Sequence, residues 1–343
     1  MTRGCFLALV LGLAACTPNA PGGPTLASYF TPAEPGLQTG GVKMIPIHTP
    51  KGDFKVWTKR FGENPRIKLL LLHGGPGATH EYFEALETPL AGRGIELIYY
   101  DQLGSSYSDQ PTDTSLWTID RFVDEVEQVR VALGLDKDNF YLLGHSWGGI
   151  LAAEYALRHG DHIKGLIISN MMMSIPEYNH YAETVLAKQM DPAVVSEIKA
   201  IEARGEYESP RYMELLIPNF YHEHICRLTE WPDAVNRSLG RINRQIYVLM
   251  QGPSEFGASG LLENWDRKAD LPRLAMPTLV IAGAHDTMDP QHMRWVSTQV
   301  QHGSFLLCAN GSHLSMWDDQ QTYVHGLVEF LEAVDRGAQH VTF

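Results

Sequence analysis

The sequence predicts an α/β protein, a mostly parallel sheet of eight strands flanked by helices, and three observations carry that expectation. From Val42 onward, short apolar or β-branched runs alternate with longer amphipathic segments. One run, Phe140-Tyr141-Leu142-Leu143, turns through glycines into a helical stretch. Between about residues 171 and 265 the alternation stops, and helical stretches rich in Tyr, Glu, Arg and Met replace it until strands resume after Leu274. That connection is too long for a loop. The 343 residues, 44% of them hydrophobic, suffice for one large domain with such an insertion.

Taken in order, strands are expected at residues 43–48, 53–61, 68–72, 96–100, 140–143, 163–168, 278–282 and 304–308, the first two forming an antiparallel edge. Phe122, Val123, Val126, Val129 and Leu133 recur at helical spacing, so residues 119–133 form a helix on the sheet that ends at Gly134. Residues 41–170 and 270–343 then make the sheet domain. Residues 171–269 make a helical cap, expected to roof the site and select what enters.

Ahead of this domain, residues 1–16 contain Arg3, an apolar run from Phe6 to Leu13, and Leu13-Ala14-Ala15-Cys16. The run is too short to span a bilayer and resembles a signal peptide. Small residues before a cysteine form a lipobox, which implies that Cys16 is diacylated and becomes the mature N-terminus. The Pro- and Gly-rich residues 17–40 read as a flexible tether. The expected location is a bacterial cell envelope, lipid-anchored to membrane. Because Thr17 is not the aspartate of inner-membrane retention, the expectation extends to an outer membrane, facing the periplasm. Of four cysteines, Cys226 and Cys308 remain in the folded part. They can pair in an oxidising compartment or stay as buried thiols, and their spacing suggests no metal site.

Lys and Arg total 27 against 40 Asp and Glu, a formal charge of -13 that repels phosphate backbones. A nucleic-acid partner is excluded on that ground. Such a surface serves solubility, or it concentrates cationic substrates such as peptide N-termini.

The chemistry begins at Gly144-His145-Ser146-Trp147-Gly148, a G-x-S-x-G between a strand and a helix over residues 150–159. This is the context of the nucleophile elbow of the α/β-hydrolase fold, and Ser146 is its serine. A hydroxyl needs a base and an orienting acid, which follow the serine in the order acid, then histidine. Among 15 histidines, position selects His313, in Asn310-Gly311-Ser312-His313 after the last strand. His48, His159, His162 and His302 read as ordinary surface or core residues. Asp286 comes first after the penultimate strand and is the expected acid. Asp289 is the rival, with a competing role as N-cap of a helix beginning at Pro290. The turn His73-Gly74-Gly75-Pro76-Gly77 supplies the oxyanion hole, through the backbone N–H groups of Gly75 and Trp147. His73 reads as a structural residue of that turn.

His73-Gly74-Gly75-Pro76-Gly77, Asp101-Gln102, Gly144-His145-Ser146-Trp147-Gly148-Gly149 and Gly311-Ser312-His313 together resemble the proline iminopeptidase family of α/β-hydrolases. Within it the chain is similar to the tricorn-interacting aminopeptidase branch, through Tyr221-His222, Trp231-Pro232, Gly252-Pro253-Ser254-Glu255-Phe256 and Ser312-His313-Leu314-Ser315-Met316-Trp317. The resemblance implies a serine peptidase that cleaves after an N-terminal proline, or another small or apolar residue, in short peptides, amides or arylamides with a free N-terminus. It implies no cofactor and no metal. It assigns Ser146, Asp286 and His313 to the triad, Glu255 to the substrate ammonium and Tyr247 to the wall of that pocket. Relatives carry a second carboxylate directly after the triad aspartate, where this chain has Thr287, so Asp289 or Glu223 is expected to stand in. Ser106 occupies a place where relatives often have glycine. The alternative is a broad esterase or amidase of the same fold, and a third reading is a catalytically inactive binding lipoprotein. The serine itself argues against epoxide- or haloalkane-type hydrolysis, which uses aspartate.

Overall fold

The computed structural model describes residues 41–343; the expected signal segment with Cys16 and the tether 17–40 lie outside the described residues. Eight strands form one sheet: β1 (Val42–Thr49), β2 (Gly52–Phe61), β3 (Lys68–Leu72), β4 (Glu96–Asp101), β5 (Phe140–His145), β6 (Gly165–Ser169), β7 (Pro277–Gly283) and β8 (His302–Cys308). Their spatial order is β1-β2-β4-β3-β5-β6-β7-β8. β2 runs antiparallel to both of its neighbours, and every pair from β4 to β8 is parallel, so the antiparallel edge lies where it was expected. β6 starts two residues later than expected, because Ile163 N–H bonds back to Gly160 O in a turn before the ladder forms.

Helices cover both faces, which is why the central strands are apolar throughout rather than alternating. Leu70, Leu72, Leu142, Ile168 and Val280 pack into one core, and Leu69, Leu71, Leu143, Ile167 and Ile281 into the other. The helix Ile119–Leu133 presents Phe122, Val123, Val126 and Val129 to the first core. Thr118 caps its start, accepting from Arg121 N–H, and Gly134 ends it in the left-handed conformation, φ 64.

Between β6 and β7 the chain leaves the sheet. It forms helices Ile175–Thr184, Pro192–Ala203, Pro210–Leu216, Asp233–Gly240 and Arg244–Met250, with a π-helical turn at Ile217–Tyr221. Local chemistry sets their starts: Ser174 accepts from Glu177 N–H, Asp191 precedes Pro192, and Asn243 accepts from Ile246 N–H. Cys226 and Cys308 are both buried and free.

Candidate active site

The site is assembled at the ends of β3, β5, β7 and β8. At the end of β5, Ser146 adopts φ 57, a left-handed backbone rare for a non-glycine residue, and leads into the helix Trp147–His159. The turn closes only because its flanks lack side chains. A Cβ at Gly144 would lie 2.0 Å from Gly148 O, and one at Gly148 would lie 2.0 Å from Leu72 O. Ser146 N–H donates to Ser169 O at 3.1 Å, which ties the elbow to β6.

His313 follows β8. Its Nδ1 lies 2.7 Å from Asp286 Oδ1, and both residues are buried. With Nδ1–H donating to the carboxylate, Nε2 keeps its lone pair and is free to act as a base. Burial pulls the His313 pKa down, but the charge and hydrogen bond of Asp286 outweigh it and the net shift is upward. Asp286 is itself held: Asn170 donates to Oδ2 at 2.8 Å, while Met288 N–H and the Thr287 hydroxyl donate to Oδ1 at 3.2 Å each. Thr287 is therefore turned inward onto the acid.

Ser146 and His313 line one cavity with Gly74, Gly75, Ala78, Tyr82 and Glu255. Among the described residues no hydrogen bond joins Ser146 Oγ to the imidazole. Such contacts are commonly loose without substrate and tighten when it binds. Gly75 has φ 108, and among the described residues neither its N–H nor that of Trp147 donates to a protein group. Two amide donors near the serine are thus free for an oxyanion.

Asp101-Gln102 clamps this turn. Gln102 Nε2 donates to His73 O at 2.9 Å, its Oε1 accepts from the Trp147 indole at 2.8 Å, and its N–H donates to His73 Nε2 at 3.1 Å. His73 Nδ1 meets Gly74 O at 2.9 Å, and burial pushes its pKa down to about 4, so it stays neutral and structural. Ser106 sits at φ 41, a left-handed conformation that glycine adopts without strain.

The inserted segment closes the cavity with Ile225, Val235, Leu239 and Ile242, and carries Glu255 in the loop after the helix Arg244–Met250. Tyr247 Oη donates to Glu255 Oε1 at 2.6 Å, and Glu255 N–H donates to Tyr221 Oη at 3.4 Å. Burial, reinforced by the Glu255 charge, raises the Tyr247 pKa, so the phenol keeps its proton. Burial also raises the Glu255 pKa, against the opposing pull of His313 and of the Tyr247 hydroxyl.

Neither expected stand-in carboxylate reaches this cavity. Asp289 caps the helix Pro290–Gln299, accepting from Gln291 N–H at 2.9 Å. Glu223 is exposed and pairs with His285 at 3.3 Å and Arg227 at 3.5 Å. Both expectations are corrected: among the described lining residues, Glu255 is the one carboxylate.

A groove of about 1030 Å³ lies elsewhere, against β8 and the helix Gln320–Asp335, and neither Ser146, His313 nor Asp286 lines it. One group among the described residues has metal-ligand chemistry: Glu127, His159 and His162 offer donor atoms within 4.8 Å of one another. Arg130 already forks Glu127 at 2.8 and 2.7 Å, and Tyr155 Oη donates to it at 2.7 Å, so its charge is neutralised without an ion.

Sequence reasoning missed Asn170, Tyr82, the buried position of His145, and the cap's apolar wall. Asn170 left one trace, an asparagine directly after a strand, where its left-handed φ of 52 is tolerated.

A serine at a strained strand-to-helix turn, with an aspartate-held histidine three strands away and glycine amides beside it, defines an α/β-hydrolase. The family profile for the alpha/beta hydrolase fold matches residues 68–320. A proline iminopeptidase of Flavobacterium johnsoniae is 61% identical over 292 residues, 85% of this chain and 98% of that protein. Among solved structures, VinJ superposes with a TM-score of 0.79 at 27% identity, covering 85% of this chain and 98% of that one. The proline iminopeptidase of Mycobacterium smegmatis superposes with a TM-score of 0.74 at 30% identity, covering 86% and 99%. The chain belongs to the proline iminopeptidase family of α/β-hydrolases.

Proposed function

We propose that this protein is a serine aminopeptidase that removes an N-terminal proline, or another small apolar residue, from short peptides, amides or arylamides. Ser146 attacks the scissile carbonyl as His313 Nε2 takes its proton. The amides of Gly75 and Trp147 hold the oxyanion, the imidazolium protonates the leaving amine, and water attacking through the same histidine frees the acyl-enzyme. Asp286 fixes the tautomer and stabilises the imidazolium without taking the proton.

The observation that carries the reading is Glu255, a lone carboxylate in the same apolar-walled cavity as Ser146 and His313. A substrate ammonium there gains a charge-assisted bond where water is scarce, and a neutral blocked amine gains none. Proline arylamide and its N-acylated form, assayed beside a short-chain ester, test this. Turnover of the free amine alone is expected, and equal rates on blocked and free amides would overturn the exopeptidase assignment in favour of a general amidase.

Lipidation at Cys16 places the enzyme on a membrane of the cell envelope, with the outer membrane, periplasm-facing, as the proposed site. Support comes from Leu13-Ala14-Ala15-Cys16 and the tether after it. Cys16→Ser is expected to move activity from the membrane fraction to the soluble one.

A further inference from the structure

Three segments far apart in sequence meet through two side chains that the mechanism above leaves idle. Gly74 N–H donates to Tyr82 Oη at 2.7 Å, Tyr82 Oη lies 3.0 Å from His145 Nδ1, and His145 Nε2 lies 2.7 Å from His313 O. All four residues are shielded: Tyr82 is 5% exposed, His145 2% and His313 5%, and Gly74 is buried with them.

The protons in this chain have one arrangement. An amide N–H can only donate, so Tyr82 Oη accepts from Gly74. A carbonyl can only accept, so His145 Nε2 must carry a hydrogen and donate to His313 O. His145 is neutral, because burial, reinforced by the adjacent His313, lowers its pKa to about 3. Its Nδ1 therefore holds a lone pair, and the Tyr82 hydroxyl donates to it. No member is left without a partner, which is the condition under which a buried polar network rigidifies rather than destabilises.

We propose that Tyr82 and His145 are positioning residues, a relay that locks the oxyanion turn at Gly74-Gly75 to the backbone of the catalytic histidine across the base of the elbow. The backbone of His313 is held through both of its polar groups, since its N–H also donates to His224 O of the inserted segment at 2.9 Å. His145 precedes Ser146, so one side chain ties the elbow to both of its reaction partners. The ring of His145 stands 4.8 Å from that of His313, tilted at 55°, so the two pack against each other. The relay acts through the placement of the oxyanion donors and the base. Its loss therefore appears in the chemical step and not in substrate affinity.

The inference rests on Ser146 being the nucleophile, and the test separates the two. Wild type, Tyr82→Phe, His145→Leu and His145→Gln are titrated with a fluorophosphonate, and kcat and KM for proline arylamide are referred to the titrated fraction, so unfolded protein does not count. Tyr82→Phe is expected to lower kcat about tenfold and His145→Leu about a hundredfold, with KM nearly constant. Gln offers one acceptor and one donor side by side as the imidazole does, and His145→Gln is expected to recover most of the loss. If Tyr82→Phe and His145→Leu keep wild-type kcat in the titrated fraction, or if KM alone moves, the relay is overturned while Ser146 stands. If wild type is active yet does not titrate at Ser146, the nucleophile reading falls and the relay falls with it.

Discussion

The two sides of the cavity are held by different means. On the sheet side, Ser146 stands on a turn in which added Cβ atoms would come within 2.0 Å of backbone carbonyls, and His313 and Asp286 are buried in a closed network of hydrogen bonds. On the other side, Val235 and Leu239 ride on the helix Asp233–Gly240, whose Arg237 reaches across to Glu81 at 3.0 Å and Glu84 at 2.8 Å. Arg241 adds a second contact to Glu81 at 2.8 Å. These guanidinium groups are partly exposed, so solvent screens each pair. Backbone contact fixes the chemistry, while pairs that can yield hold the wall that meets the substrate.

The comparison breaks first, and hardest, at the acid. Asp286→Asn is expected to lower kcat on the order of 10⁴-fold with the fold intact. The sign of the pH effect follows from the upward shift of His313. The base is active only when deprotonated, so in the wild type kcat/KM falls as pH drops through a value above the ordinary 6.5. Removing the Asp286 charge moves that limb to lower pH, and rate–pH profiles of both proteins check it.

Next comes the elbow. Gly144→Ala forces a Cβ against Gly148 O and is expected to cost about 3 kcal/mol or more, read as a lower thermal midpoint. Gly240→Ala, at the end of the inserted helix with nothing within 4 Å of the new carbon, is expected to leave the midpoint unchanged or slightly raised. Equal losses would erase the distinction between the two sides.

Glu255→Gln should act on recognition alone, lowering kcat/KM for free-amine substrates about 10- to 100-fold while ester turnover persists. The smallest effect is expected from Arg237→Met, which loosens the helix and raises KM by about twofold to fivefold. In wild type, added salt should reproduce part of that rise by screening the partly exposed pairs.

The same difference decides what the sequence could reveal. Each central strand is a short apolar run bounded by turns, and the fold puts serine, acid and histidine after β5, β7 and β8, so Ser146, Asp286 and His313 could be chosen by position among many candidates. The helix at Pro290 was readable from Asp289 before it. Thr287 was not, because whether it faces the amine or the acid depends on a side-chain rotation. Tyr82 and His145 meet across 63 residues and His145 and His313 across 168, separations that no local periodicity encodes. Nor could the wall of Ile225, Val235, Leu239 and Ile242 be told from ordinary core, since apolar residues look alike in sequence whether they face a cavity or a neighbour.

The most direct test is to find which atom is acylated. The protein is treated with a fluorophosphonate, digested and mapped by mass spectrometry, with Ser146→Ala alongside. A single adduct on Ser146, absent in Ser146→Ala together with all peptidase activity, is the expected result. An adduct on another residue, or a Ser146→Ala protein that still turns over proline arylamide, would contradict it.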